Sequence, residues 1–313
     1  MQELVDRAQR LMQMVGDGPA AYHEVLGGIH GVCASVERLT AAGCTRVDLQ
    51  PALRELRDAS AGSPLVQRMQ QWPRGFPGDF ETVDSLRSGR NQARPGTLGH
   101  AIESFLLASP IAQQRRNTVQ WQAMAILTTL RQRRSRLPHG HPPRVLLMGC
   151  GSAPDLQLVA GLIGDTHPRI VLNDRDEGAL EVALGRLRPA HLDPITVPGH
   201  VVEKLPLLQE LGPYDLIVAG ELFEYLPSRQ AADLLRIVYS LLLQEWGRFV
   251  FTNTAPHQPY RSWLEHWTDW VVLERSEDDV RELCGRAGVP TDEVALSRDA
   301  SNQALLVDLI RTW

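Results

Sequence analysis

RVLLMGCGSAPD, residues 144–155, reads as a buried strand running directly into Gly149-x-Gly151 and then into a helix that begins near Asp155. Glycine suits such a turn because a Cβ would obstruct both the sharply turned backbone and any ligand approaching it closely. From Arg144 onward the pattern repeats: RVLLMG, RIVLND, PITVP, YDLIVAG and RFVFTN are short apolar runs separated by helical segments. This alternation predicts an α/β fold, a mostly parallel sheet with helices on both faces. Two final runs, EVALSRD and QALLVDLIR, supply a closing pair of strands and bring the expected sheet to seven. A Trp-rich helix is expected at Ser262–Trp270, and the Ser276/Asp279 spacing predicts a capped helix after it.

The first 135 residues follow a different rule. In 2–15, Leu4, Ala8, Leu11, Met12 and Val15 share one helical face, and 20–42 continues with Tyr22, Leu26, Ile29, Val32 and Val36. Pro51 fits the first turn of a third helix running to about Trp72. A Gly/Pro-rich stretch and a polar loop follow, and then a helical segment from Leu98 to about Arg134, split near Pro110. RLPHGHPPR reads as a linker. The expected division is therefore a helical domain over 1–135, a linker over 136–143 and an α/β domain over 144–313.

Composition narrows the function classes. Hydrophobic residues at 43% and charged residues at 22% describe an ordered globular chain. With 32 basic against 37 acidic residues, the balance of −5 offers no electrostatic case for nucleic acid. No apolar run approaches the roughly 18 residues needed to span a bilayer. Cys33, Cys44, Cys150 and Cys284 form no CxxC pair, so a reducing, cytoplasmic setting is expected and no zinc ribbon. Lys204 is the only lysine, and 31 arginines beside it suggest a GC-rich bacterial genome. No metal is expected: His139 and His141 stand in the proline-rich linker without carboxylate partners.

The glycine loop gains meaning from Asp174, which ends the next strand 23 residues after Gly151. An acidic side chain there can accept hydrogen bonds from both ribose hydroxyls of a nucleoside. A dinucleotide would call for G-x-G-x-x-G and a pyrophosphate on the helix N-terminus. Here Pro154 stands in place of the third glycine, so a nucleoside ligand without phosphate, such as S-adenosylmethionine (SAM), fits better.

In these residues the chain resembles the class I SAM-dependent methyltransferases, a Rossmann-like fold. More narrowly, it is similar to the bacterial group linked to 3-hydroxypalmitate methyl ester formation. The resemblance spans roughly 74–310 and rests on RGFPGDFETVD (74–84), GCGSAPD, LNDRDEGAL (172–180), YDLIVAGELFEYL (214–226) and TNTAPHQPYRSWLEHWTDWVVLERSEDDV (252–280). It implies a seven-stranded sheet beneath an N-terminal helical cap, with SAM as cofactor. It also implies that Gly149 and Gly151 pass the methionyl portion and that Asp174 holds the ribose. Val201 and Val202 would flank adenine, while Glu221 and Leu222 would face the reacting centre. Asp79 and Phe80 would belong to the cap. The family pattern has Ala-Gly-Leu-Phe-Asp-Tyr at the fourth strand, whereas this chain has Gly220-Glu221-Leu222-Phe223-Glu224-Tyr225 and so carries an extra carboxylate.

Glu221 at the carboxyl end of a strand can serve as a general base or substrate contact, or can pair with the SAM ammonium group. Glu224 is expected to be a surface or dipole-complementing residue. Arg116 and Arg261 can each clamp a carboxylate, the alternative being a structural ion pair, and Asn253 is counted with them on the substrate side. Trp263, Trp267 and Trp270 recur at i, i+4 and i+7, the spacing of a core face. Cys150 reads as a packing residue. The expected chemistry is attack by an oxygen, nitrogen or carboxylate of a small molecule on the SAM methyl. The alternatives are cyclisation of SAM itself, to 1-aminocyclopropane-1-carboxylate or azetidine-2-carboxylate with release of methylthioadenosine, and a non-catalytic SAM-binding module.

Overall fold

A computed structural model describes residues 1–14, 19–136 and 142–312. Among them the chain passes through α1 (Gln2–Gln13), α2 (Pro19–Ala41), α3 (Arg46–Ser60), α4 (Pro64–Gln71), α5 (Phe80–Ser88), α6 (Leu98–Ala108) and α7 (Pro110–Arg136) before the first strand. Then β1 (Arg144–Met148), α8 (Pro154–Ile163), β2 (Arg169–Asp174), α9 (Glu177–Leu187), β3 (Ile195–Pro198), α10 (Val201–Leu211) and β4 (Tyr214–Ala219) alternate. α11 (Ser228–Ile237), β5 (Leu243–Thr254), α12 (Arg261–Trp267), α13 (Glu277–Arg286), β6 (Val294–Arg298) and β7 (Ala304–Ile310) complete it.

The seven strands form one sheet in the order β3-β2-β1-β4-β5-β7-β6. β1 to β5 are mutually parallel, and β7 runs antiparallel to both β5 and β6. Strands covered on both faces read as continuous apolar runs, and β4 is buried at every position. One face carries Ala123, Ile126, Leu127 and Leu130 of α7 with α8 and α9 over Val145, Leu147, Leu216 and Val218. The other carries α10, α11 and α13 over Leu146, Ile217, Phe249 and Phe251. The chain leaves β1 toward β2 and returns to β4 on the other side. This makes a switch point between β1 and β4, where open α/β sheets bind ligands.

Two compact units result, and their boundary differs from the expected 136–143 linker. One comprises 1–115 with 257–271, the other 116–256 with 272–313. α7 from Arg116 onward is apolar on the face that meets the sheet, so it belongs to the sheet unit. The excursion 257–271 joins the helices through Trp263, Trp267 and Trp270, all at most 1% exposed. Trp263 and Trp267 stack at 6.3 Å, the core role their spacing predicts. His139 and His141 lie outside the described residues.

Two helix boundaries need correcting. The third helix starts at Arg46, because Thr45 and Asp48 complete a capping box, and Pro51 sits in its second turn. It does not run to Trp72. The chain breaks before Ser63, whose hydroxyl caps α4 with Pro64 in the first turn. The break seats α6: a Cβ on Gly99 would lie 2.3 Å from the Gly62 carbonyl carbon and 2.6 Å from Ser63 N. No helix among the described residues is long and apolar enough to cross a membrane.

The β6–β7 turn is organised by one carboxylate. Asp299 Oδ1 accepts the Gln303 and Ala304 N–H groups at 2.9 and 2.8 Å. Its Oδ2 accepts Ser301 N–H at 3.0 Å and Asn117 Nδ2 at 2.7 Å.

Two outcomes follow for stability. Gly99→Ala should lower unfolding stability by about 1–3 kcal/mol, because backbone cannot move aside for the new methyl. Gly185→Ala, exposed on α9 with nothing within 4 Å of the new Cβ, should instead raise it by about 0.5–1 kcal/mol. Urea midpoints of the two variants should therefore move in opposite directions. Burial raises the Asp299 pKa, but its hydrogen bonds outweigh this and hold the carboxyl below the usual aspartate range. A lowered pKa contributes stability above the ordinary value near 3.9, which is lost as pH falls toward the folded value. Asp299→Asn should lower stability at pH 7 and flatten its loss between about pH 4 and 2, measured by denaturant titration at each pH.

Candidate functional site

The glycine loop after β1 is held by backbone geometry and by one carboxylate. Gly149 and Gly151 have φ of +60° and +52°, the left-handed region that glycine enters without strain. Gly151 N–H donates to Asp174 Oδ2 at 2.7 Å, and Asp176 N–H donates to Oδ1 at 2.9 Å. Gly199 N–H, after β3, donates to the Asp174 backbone carbonyl at 2.9 Å. The neighbouring Asn173 adds Nδ2 bonds to the Val197 and Gly199 carbonyls at 2.8 and 3.0 Å, and its backbone carbonyl accepts Cys150 N–H at 3.1 Å. The loops after β1, β2 and β3 therefore meet at residues 173–174. Each Asp174 oxygen retains a lone pair beyond its one backbone bond. Burial raises the Asp174 pKa, opposed by the N–H groups of Asp176 and Gly151.

The mouth of α8 is closed to phosphate. Pro154 in its first turn has no N–H to offer, and the buried Asp155 carboxylate accepts Leu156 N–H at 2.8 Å. A phosphate there would meet a fixed negative charge where it needs donors. Burial, with Asp174 and Asp155 nearby, pushes the Cys150 thiol well above its usual range, so it is no nucleophile at neutral pH.

The segment after β4 is equally constrained. Gly220 O accepts both Thr252 N–H at 3.0 Å and Thr252 Oγ1 at 2.7 Å. Glu221 follows, half-buried, with φ −94° and ψ 13°, and precedes a single 3₁₀ turn, Leu222–Tyr225. Leu222 packs against Gly149: a Cβ on Gly149 would lie 3.7 Å from Leu222 Cβ. Arg275, 4% exposed, holds the turn from beneath through Nη1 to Phe223 O at 2.7 Å and Nη2 to Leu226 O at 2.6 Å.

The structure thus brings Gly149, Gly151, Asp174 and Leu222 together at the carboxyl edge of β1, β2 and β4, with Glu221 adjoining Leu222 in the chain. Val201 is buried and Val202 half-exposed at the start of α10, beside Gly199. The other expected residues have different work. Asn253 is 1% exposed: its Nδ2 bonds Thr254 O and Leu273 O, and its Oδ1 accepts Arg275 Nη1 at 2.6 Å. Its amide splices β5 to the 272–275 segment and is spent on that. Glu224 is not at the surface; it is 1% exposed and accepts the Thr254 hydroxyl at 2.6 Å. Asp79 is fully buried in the helical unit, capping α5 through Thr82 N–H at 2.9 Å and taking both oxygens to Arg68 Nη2 at 2.8 and 2.7 Å. Phe80 lies under the Arg74 guanidinium, 4.5 Å from the ring centre. Arg261 pairs with Glu265 on the exposed side of α12, and Arg116 is half-buried on α7. Arg275, Thr252 and Gln122, which packs over Gly220, escaped the sequence reading: the first two lie inside quoted motifs, whereas Gln122 carries no sequence signal.

No protein-family model matches the sequence, and no curated protein matches it. Solved structures do match in fold. A possible exported protein from Bordetella parapertussis superposes with a TM-score of 0.56 over 75% of this chain and 80% of that one, at 15% identity. Magnesium protoporphyrin IX methyltransferase from Synechocystis PCC 6803 with bound SAH gives 0.48 over 74% and 94%, at 14% identity. An S-adenosylmethionine-dependent methyltransferase from Clostridium acetobutylicum ATCC 824 gives 0.44 over 62% and 92%, at 11% identity. At such identities the likeness is one of fold.

The Arg275 clamp makes a direct test of the turn. Arg275→Leu leaves the Phe223 and Leu226 carbonyls and Asn253 Oδ1 buried without that donor. Phe223 O keeps the Leu226 N–H, so two groups are left unsatisfied; at about 1–3 kcal/mol each, the loss should reach at least about 2 kcal/mol in urea unfolding. A loss below 1 kcal/mol would show that the turn does not depend on this guanidinium.

Proposed function

We propose that this chain is a SAM-dependent enzyme that transfers the methyl group to an oxygen, nitrogen or carboxylate of a small molecule. The observation that carries the proposal is the pairing of an Asp174-braced glycine loop with a helix mouth already filled by Asp155. Such a site suits a nucleoside without phosphate: two carboxylate lone pairs remain for a ribose diol, and a pyrophosphate is repelled. The fold likeness to methyltransferase structures supports the same reading.

In this reading Gly149 and Gly151 give backbone access to the amino-acid portion, Asp174 holds the ribose, and Val201 and Val202 flank the base. SAM bound there would supply a carbon made electrophilic by its sulfonium. The chain supplies alignment, with Leu222 against Gly149 closing the floor. Glu221, held half-buried by the clamped turn, takes a proton from a nucleophile that carries one. The buried Asp79–Arg68 pair is internal to the helical unit.

Incubation with SAM tests the reading, with identification of the nucleoside product. S-adenosylhomocysteine formed only with an acceptor is the expected result. Methylthioadenosine from SAM alone would replace methyl transfer by cyclisation, and absence of SAM binding would remove the proposal. Asp174→Ala should weaken SAM binding by about 1.5–3 kcal/mol in calorimetry on folded protein, the range for hydrogen bonds to a charged group. Glu221→Gln should lower turnover by about 10²–10⁴ with SAM affinity little changed. A weakened affinity with the saturated rate spared would make Glu221 an ammonium partner instead.

A further inference from the structure

Gln122 lies on α7 within the sheet unit and is 5% exposed. Its carboxamide packs over Gly220 at the end of β4: a Cβ on Gly220 would come within 3.2 Å of Nε2 and 3.4 Å of Oε1. Gly220 therefore leaves the room that the amide fills. Among the described residues this carboxamide makes no hydrogen bond, although most buried polar side chains do. Its neighbour cannot satisfy it, since Gly220 O is already engaged by both the amide and the hydroxyl of Thr252. Neither amide atom belongs to the fully enclosed polar atoms that lack a partner, so the carboxamide reaches an opening where a ligand can meet it.

The chemistry of the side chain limits what that ligand can be. A carboxamide carries two donors and an acceptor and does not titrate near neutral pH, so it orients a group rather than exchanging protons with it. It stands over Gly220, next in the chain to Glu221, at the β1/β4 switch point. An Oε1 acceptor here is useful only to a nucleophile that still carries an N–H or O–H. A carboxylate nucleophile has no proton to give it. We propose that Gln122 is a positioning residue that holds a proton-bearing amine or hydroxyl at the reacting centre, its Oε1 accepting one N–H or O–H while Glu221 receives the proton released. This rests on the SAM reading and narrows it, removing carboxylates from the nucleophiles the site aligns.

The test needs no identified acceptor. Sinefungin is a SAM analogue with an amine where the transferable methyl stands, whereas S-adenosylhomocysteine has neither, so their affinity ratio reports recognition of N–H at that point. Calorimetry on the full chain should show that Gln122→Leu weakens sinefungin about tenfold or more while S-adenosylhomocysteine stays within about twofold. The melting temperature without ligand should change little, since the amide makes no hydrogen bond within the described residues. Should the leucine variant not fold, Gln122→Met has similar length without hydrogen-bonding groups and carries the same comparison. Equal weakening of both ligands, or no change in either, overturns the proposal. Wild-type protein that binds neither ligand overturns the SAM reading itself and this assignment with it.

Discussion

The carboxyl edge of the sheet depends on two adjacent residues, Asn173 and Asp174, at the end of β2. Asp174 takes one backbone N–H from the glycine loop and one from the start of α9, and its own carbonyl takes a third from the loop after β3. Asn173 repeats the arrangement between its neighbours. Loop backbones at the end of a parallel sheet have lost their ladder partners and must find others when buried. Here the side chains and backbone carbonyls of a single strand end supply them, so three loops from three strands share one geometry. The cost is a carboxylate held in a poorly solvating place, visible in its raised pKa.

On the other side of the switch point a cation does the same for carbonyls. Arg275 gathers Phe223 O, Leu226 O and Asn253 Oδ1, and the Phe223 ring stacks on Phe251 at 4.2 Å beneath it. Glu224 is drawn inward to Thr254, leaving Glu221 as the half-buried carboxylate at the head of the turn. Rigid support from packed, hydrogen-bonded neighbours is the condition under which a site residue keeps one orientation. The Gln122 carboxamide packs against Gly220 without a hydrogen bond among the described residues, and departures from local consistency tend to fall at functional sites.

What could be read along the chain was whatever its signal kept local. Strand–glycine–helix order, the Ser276/Asp279 cap and the core spacing of Trp263, Trp267 and Trp270 all reappear in the structure because each rests on residues within one or two turns of one another. The third helix went astray for a local reason as well: Thr45 and Asp48 form a capping box that competes with Pro51 as a start signal and wins. The roles of Asn253 and Glu224 are not legible along the chain, because burial decides them and depends on Arg275 and Thr254, which reach them from other segments.

The sequence by itself determined the α/β class, the number of strands, the glycine loop and its acidic partner Asp174, because hydrophobic period and turn chemistry are written residue by residue. Only the tertiary structure decided where the chain divides. α7 from Arg116 onward goes with the sheet and 257–271 with the helices, since which apolar face finds which partner is a property of packing. It alone also decided which polar groups are already satisfied. Asp79, Asn253 and Asp155 are spent on the fold, whereas Gln122 keeps its hydrogen-bonding capacity, and no pattern along the chain distinguishes a committed polar side chain from one still free to bind.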